Sequence, residues 1–265
     1  MTTDDDKATD EEVFQDIEAA LADFPRLKAL LPVAFPRALR FKISRDAMES
    51  YAAARGKRFW HNLNLPLLLH NYRNNPDARA RHFFGSLLRT LADFAERLGN
   101  LPGARSLLSP LWEDPWNDVP QFWSIAGCAY AALCYQRDGI EIVGFESSIS
   151  GTLKDDITVR LAGRITHVEV EAHHLADFGD QTDEQVMAEL ERRADPKAGK
   201  KFADMPKDHV GVVAEVCVLT GPDVERRIHP PIKALPGRGE NVGWTAWMLA
   251  VVVHPEGPRF ALLWL

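Results

Sequence analysis

Residues 151–175, GTLKDDITVRLAGRITHVEVEAHHL, decide how the second half of this chain is read. Ile157, Val159 and Leu161 alternate with Asp156, Thr158 and Arg160. After Ala162-Gly163, Val168, Val170 and Ala172 alternate with His167, Glu169 and Glu171. Strand side chains change face with a period of two, so the apolar sets share one face and the acids share the other. A two-residue turn at Ala162-Gly163 sets Asp156 across from Glu169, Thr158 across from His167 and Lys154 across from Glu171. Ala-Gly is a weak sequence for a primed hairpin turn, so a shift by two residues stays open. A shift by one is excluded, because it would mix the faces.

Carboxylates at cross-strand spacing, about 4.5–5.5 Å between Cβ atoms, repel one another. A shared proton, a nearby Lys or Arg, or a hard divalent cation neutralises them. Mg²⁺ takes oxygen ligands from one or two carboxylates, water and substrate phosphate. Held this way, such an ion activates water and stabilises charge on a phosphodiester. The same residues also fit a solvated charged face, with Lys154, Arg160 and Arg164 as counter-ions. A third reading takes His167, Glu169, Glu171 and His173, with His174 beside them, as ligands of zinc or iron. One strand, with about 6.5–7 Å between positions i and i+2, supplies two ligands but seldom four.

Working outward from the hairpin, residues 121–137 are apolar nearly all round and read as a buried helix that stops at Asp138-Gly139. IEIVGFESSI (140–149) reads as a strand. Downstream, the capping box Thr182 to Gln185 opens a helix over 183–194 that is expected to end before Pro196. HVGVVAEVCVL (209–219) reads as a buried strand, and residues 244–265 as a hairpin turning at Pro255-Glu256-Gly257. The first half has a helical period throughout. Val13, Phe14, Ile17, Ala20, Leu21 and Phe24 form one face, with Asp10 as N-cap and Pro25 as stop. A second helix is expected over 46–54, and RARHFFGSLLRTLADFAERLGN (79–100) carries the broadest apolar stripe. The texture turns to Pro, Trp and acids over 107–123. The expected organisation is therefore an acidic disordered tail over 1–10, a helical region over 11–115, and a mixed α/β domain over 116–265.

The net charge of −7 is unevenly spread. Residues 1–24 hold nine acids against Lys7, a net of −8, which leaves the remainder at +1. Basic residues cluster in PRALRFKISR (36–45), RGKRFWH (55–61), RNNPDARARH (73–82) and PKAGKK (196–201). They suit either a phosphate path or solvated faces. No apolar run approaches a membrane span, and the acidic start is unlike a secretory signal. Cys128, Cys134 and Cys217 form no CxxC pair, which points to reduced thiols in a cytoplasmic protein. No GxxxxGK[ST], GxSxG or HExxH occurs, and His61, His70 and His82 read as surface or partly buried histidines.

The order from helix 121–137 through strand 209–219 resembles the α-β-β-β-α-β core of the PD-(D/E)XK, restriction-endonuclease-like nuclease superfamily. The resemblance rests on that order and on Asp156 followed by VEVEA, with Glu169 and Glu171. It implies Mg²⁺- or Mn²⁺-dependent hydrolysis of DNA, or less favoured RNA, with Asp156, Glu169 and Glu171 as metal ligands. Lys154 is the first candidate for the catalytic lysine, with Lys197, Lys200 and Lys201 as alternatives. The sequence departs from the family in three ways: Glu171 stands in the usual lysine position, Asp155 replaces a proline, and the first core helix lacks an acid. Glu113, Asp114 and Asp118 lie just before that helix. A nuclease-like domain without activity, serving a protein partner or a homodimer, is the alternative function.

Overall fold

The structure is a computed structural model that describes residues 10–31, 64–113, 121–174, 181–220, 233–235, 238, 240–254 and 257–260. The expected helix over 46–54 and the turn at 255–256 lie outside these residues. So do the expected boundary at 115 and 116, the acidic tail short of Asp10, and the acids Asp114 and Asp118.

The helical region begins with α1 (Asp10–Ala22), whose apolar stripe is buried as its period requires. Pro25 interrupts this helix and opens α2 (Pro25–Leu30) from its first position, where a missing N–H costs nothing. Two longer helices, α3 (Leu65–Asn74) and α4 (Ala78–Leu98), follow, then the short α5 (Ala104–Leu108) and α6 (Pro110–Glu113). Asn64 caps α3 by accepting the Leu67 N–H at 2.9 Å. The helix α7 (Gln121–Arg137) has the expected bounds and ends at Gly139, whose φ of 76° suits glycine. One continuous apolar cluster joins α1 to α4, α7 and the inner face of the sheet, from Val13 through Phe94 to Val168 and Ala214.

The sheet contains β1 (Glu141–Phe145), β4 (Ile157–Leu161), β5 (Arg164–His174), β6 (Val210–Thr220), β8 (Val242–His254) and β7 (Lys233–Ala234) in that spatial order, with β9 (Gly257–Phe260) also on β8. The first three strands are antiparallel, whereas β5–β6 and β6–β8 are parallel. The fold is thus mixed α/β with a helical N-terminal region. The C-terminal segment is not an appended hairpin: β8 enters the sheet beside β6, and β9 then folds back onto it. At the start of β8, Val242 and Trp244 are buried, Trp244 on the side of the sheet that faces the helix Asp183–Lys201.

Two further details differ from the sequence reading, and both reshape the acidic face. The helix after the hairpin, α8 (Asp183–Lys201), keeps its capping box but runs straight through Pro196. Pro196 is exposed, while Ala194 and Ala198 are buried against Val213 and Trp244. The unmade hydrogen bond therefore falls on the solvent side, and apolar packing holds the last turns in place. Secondly, Leu153–Lys154 does not continue β4. It forms β3, paired with β2 (Ser148–Ser150) in a separate two-stranded sheet, so Lys154 does not face Glu171. The cause is Asp155, whose N–H donates to the Ser147 carbonyl and whose side chain accepts the Ser147 N–H, turning the chain before β4 begins.

Candidate functional site

The hairpin has the register expected from a two-residue turn: Thr158 pairs with His167 and Ile157 with Val168. Ala162 and Gly163 both have positive φ, 49° and 80°, which makes the turn a primed one despite its alanine. Ile157, Val159, Val168 and Val170 face α7 and are buried in the larger core. The opposite face carries Thr158, His167, Glu169 and Glu171, and the last turns of α8 reach Glu169 and Glu171 through Lys197 and Lys201. Asp156 sits in the bend just before β4. Its backbone N–H donates to the Val168 carbonyl at 3.1 Å, and its Oδ2 accepts the Val170 N–H at 2.7 Å. These two bonds fix its carboxylate beside that of Glu169, across the hairpin.

The counter-charges come from the end of α8. Lys197 and Lys201 stand one turn apart, so both reach the same patch of sheet. Lys197 Nζ lies 3.2 Å from Glu169 Oε1 and 3.6 Å from Glu171 Oε1. Lys201 Nζ lies 2.8 Å from Glu169 Oε2, in a direction that makes the contact an ion pair more than a hydrogen bond. It also donates to the Lys154 carbonyl at 2.9 Å, tying the helix end to β3. Glu169 is buried and doubly paired, while Glu171 is one-third exposed at the rim. Because the helix continues past Pro196, these lysines reach the acids. Lys154 itself is exposed and turns towards Glu146, 3.8 Å away.

The electrostatics follow from burial. Desolvation, and then the neighbouring Glu169 charge, push the Asp156 carboxyl up to about 7, against smaller opposing effects from the Val170 N–H, Lys201 and Lys197. Burial alone would lower the Lys197 pKa; Glu169, Glu171 and Asp156 outweigh it and hold the ammonium above its ordinary value. On the far side of the sheet, burial raises the Cys128 thiol well above its usual range, helped by Asp156, Glu169 and Glu146, so this thiol is unreactive.

The structure therefore brings together Asp156, Glu169 and Glu171 with Lys197 and Lys201, and leaves Lys154, which pairs with Glu146, and Lys200 outside that group. Among the described residues, no three His, Cys, Asp or Glu side chains are grouped to hold one metal ion. The zinc or iron reading loses His167, whose ring nitrogens face Asp155 and His209. His173 and His174 have no described side chains. Sequence reading missed Glu215, which is fully buried on β6 and pairs in register with Glu171. Its signal was available: it is the one charged residue in VGVVAEVCVLT. It also gave no sign of His209, whose Nδ1 lies 2.9 Å from His167 Nε2.

Of the four basic clusters, residues 36–45 and 55–61 lie outside the described structure. The 196–201 cluster forms the last turns of α8. In the 73–82 cluster, Arg73, Arg81 and His82 line an open groove of about 530 Å³ with Tyr72, Arg89, Asp16 and Asp23. Acids and bases alternate there, so the groove is no simple phosphate path. No helix among the described residues is long and apolar enough to cross a membrane. No family model matches the chain, and no curated protein matches it.

Proposed function

We propose that this protein is a metal-dependent nuclease that hydrolyses phosphodiester bonds at Asp156 and Glu169. One observation carries the reading. Two carboxylates from neighbouring strands meet two lysines from the following helix on one face of a mixed sheet. Three antiparallel strands, a helix and a parallel strand occur in the order that the PD-(D/E)XK resemblance implies. This supports that reading, with a lysine supplied from α8 in place of the one that Glu171 replaces.

The donor set fits Mg²⁺ or Mn²⁺, which take hard oxygen ligands from one or two carboxylates. Burial first, and then the Glu169 charge, raise the proton affinity of Asp156, and the two lysines do not fully offset them. Asp156 and Glu169 would hold the ion, with Glu171 at the rim as a guide for water. Once bound, the ion supplies Lewis-acid charge and a water of lowered pKa. The chain's own contribution is positional. The Val170 N–H aims the Asp156 carboxylate, and Lys197 places positive charge where a phosphoryl oxygen gains negative charge. DNA is the favoured substrate, with RNA second.

One observation favours a non-catalytic, protein-binding alternative: Lys201 already sits on Glu169 at 2.8 Å, where a cation would otherwise act. Purified protein is to be melted with and without millimolar Mg²⁺ or Mn²⁺ and assayed on single- and double-stranded DNA and on RNA. Nuclease action predicts a metal-dependent rise in Tm and cleavage lost in Asp156→Ala. A Tm indifferent to both metals, with no cleavage, would favour the interaction module.

A further inference from the structure

The carboxylate site leaves the helical region without a task, yet one of its faces is built around an aromatic ring and two arginines. On α4, Arg81, Gly85 and Arg89 stand four residues apart, so all three fall on one stripe. Gly85 leaves room for the ring of Tyr72, on α3; a Cβ there would come 3.1 Å from two atoms of that ring. Phe24 meets the same ring edge-on, with centroids 5.3 Å apart, and helps to hold it. Tyr72 is thus seated at the middle of a stripe whose two arginines start about 12 Å apart along the helix.

Both guanidiniums are held in place by neutral groups. Arg81 donates to the carbonyls of Asn75 at 2.6 Å and Pro76 at 3.5 Å, and Arg89 to Ser86 Oγ at 3.0 Å. Neither has a carboxylate partner among the described residues, because the nearby acids are engaged elsewhere. Asp23 lies 3.8 Å from Arg73, Glu96 lies 3.9 Å from Arg26, and Asp16 accepts the Asn74 amide. A guanidinium fixed in direction but not neutralised is prepared to take a phosphate. Arg81 and Arg89 both line the open groove of about 530 Å³. A second groove, of about 350 Å³, shares Asp23, Tyr72 and Arg89 with it.

We propose that the two adjoining grooves form a binding site for single-stranded nucleic acid, with phosphates on Arg81 and Arg89 and a base on the Tyr72 ring. For its role the inference rests on the nuclease reading, to which it adds the substrate class: a strand with unstacked bases. Single strands are held in this way, by a basic groove for the backbone and an aromatic ring for the bases. A duplex keeps its bases stacked on one another and offers none to Tyr72. Asp16 and Asp23 on the groove wall repel the carboxylates of an acidic peptide, whereas the amino groups of adenine and cytosine donate to such acceptors. The groove holds the strand, and cleavage stays at Asp156 and Glu169 on the sheet.

Fluorescence anisotropy of the full chain with a labelled single strand of about a dozen nucleotides, in EDTA, reads binding without cleavage. Wild type is expected to bind, with affinity falling as salt rises. Arg81→Gln and Arg89→Gln should each lower the slope of log affinity against log salt by about 0.7. The double variant should bind at least about 10-fold more weakly at low salt. Tyr72→Leu is expected to weaken binding about 10-fold; Arg89 is exposed, so its variant decides the matter even where Tyr72→Leu fails to fold. No binding by wild type, or equal affinity and slope in the double variant, overturns the proposal. So does tighter binding of the matching duplex, or displacement of the strand by polyglutamate as readily as by unlabelled strand. Wild type that binds with the expected slopes but cleaves nothing with Mg²⁺ sinks the nuclease reading and leaves the groove standing.

Discussion

Replacing Asp156 with Asn isolates what the acidic face costs the fold. In the folded protein the Asp156 carboxyl holds its proton up to about pH 7, against an ordinary 3.8. Its contribution to stability is fully present below pH 3.8 and is lost as pH rises towards 7, because the unfolded chain ionises first. At about 1.36 kcal/mol per pH unit, the gap corresponds to roughly 4 kcal/mol. Asn is isosteric, keeps an oxygen for the Val170 N–H and carries no charge, so it escapes this loss. Urea denaturation from pH 4.5 to 8.5, without divalent metal, is expected to give nearly equal stabilities at the acid end. At pH 8, Asp156→Asn should be more stable than wild type by about 2–4 kcal/mol. Carboxylates remote from Asp156 cancel between the two proteins. Millimolar Mg²⁺ should then narrow the gap by stabilising wild type alone, the trade of stability for a binding site. A difference that stays constant from pH 5 to 8 would refute the placement of Asp156 beside Glu169 in a desolvated site.

Other perturbations test neighbouring parts of the structure. Lys201→Met removes the 2.8 Å partner of a buried carboxylate while Lys197 remains; a loss of about 1–3 kcal/mol is expected in urea melts at pH 8. Gly211→Ala would put a Cβ 2.6 Å from the Phe202 ring, so a similar loss of about 1–3 kcal/mol is expected from overpacking. Ala162→Asn creates the Asn-Gly pair that primed turns favour at a position with φ of 49°, and should raise stability by about 0.5–1 kcal/mol. Thermal melts of the last two variants suffice as a check.

Much of the candidate site was legible in the sequence because strand geometry is local. The period of two placed Asp156, Glu169 and Glu171 away from the core, and the apolar partners Ile157 and Val168 pinned the register within one allowed slip. The α7 bounds and the α8 capping box were equally readable, since each depends on a few consecutive residues. Three things were not legible. The diversion of Lys154 depended on the side chain of Asp155 bonding back to Ser147, eight residues away. The passage of α8 through Pro196 depended on which side of the helix met the sheet, since propensity alone argues for a stop there. The His167–His209 contact carried no motif, because it joins rings 42 residues apart in the chain.

By itself the sequence determined that three carboxylates share a face and that helices and strands alternate around them. Only the tertiary structure decided what neutralises those carboxylates. Pairing energy depends on through-space distance and burial, and the approach of α8 to β5 sets both. GTLKDDITVRLAGRITHVEVEAHHL fixed the charges; Ala194 and Ala198, packed under an exposed proline, chose the lysines that meet them.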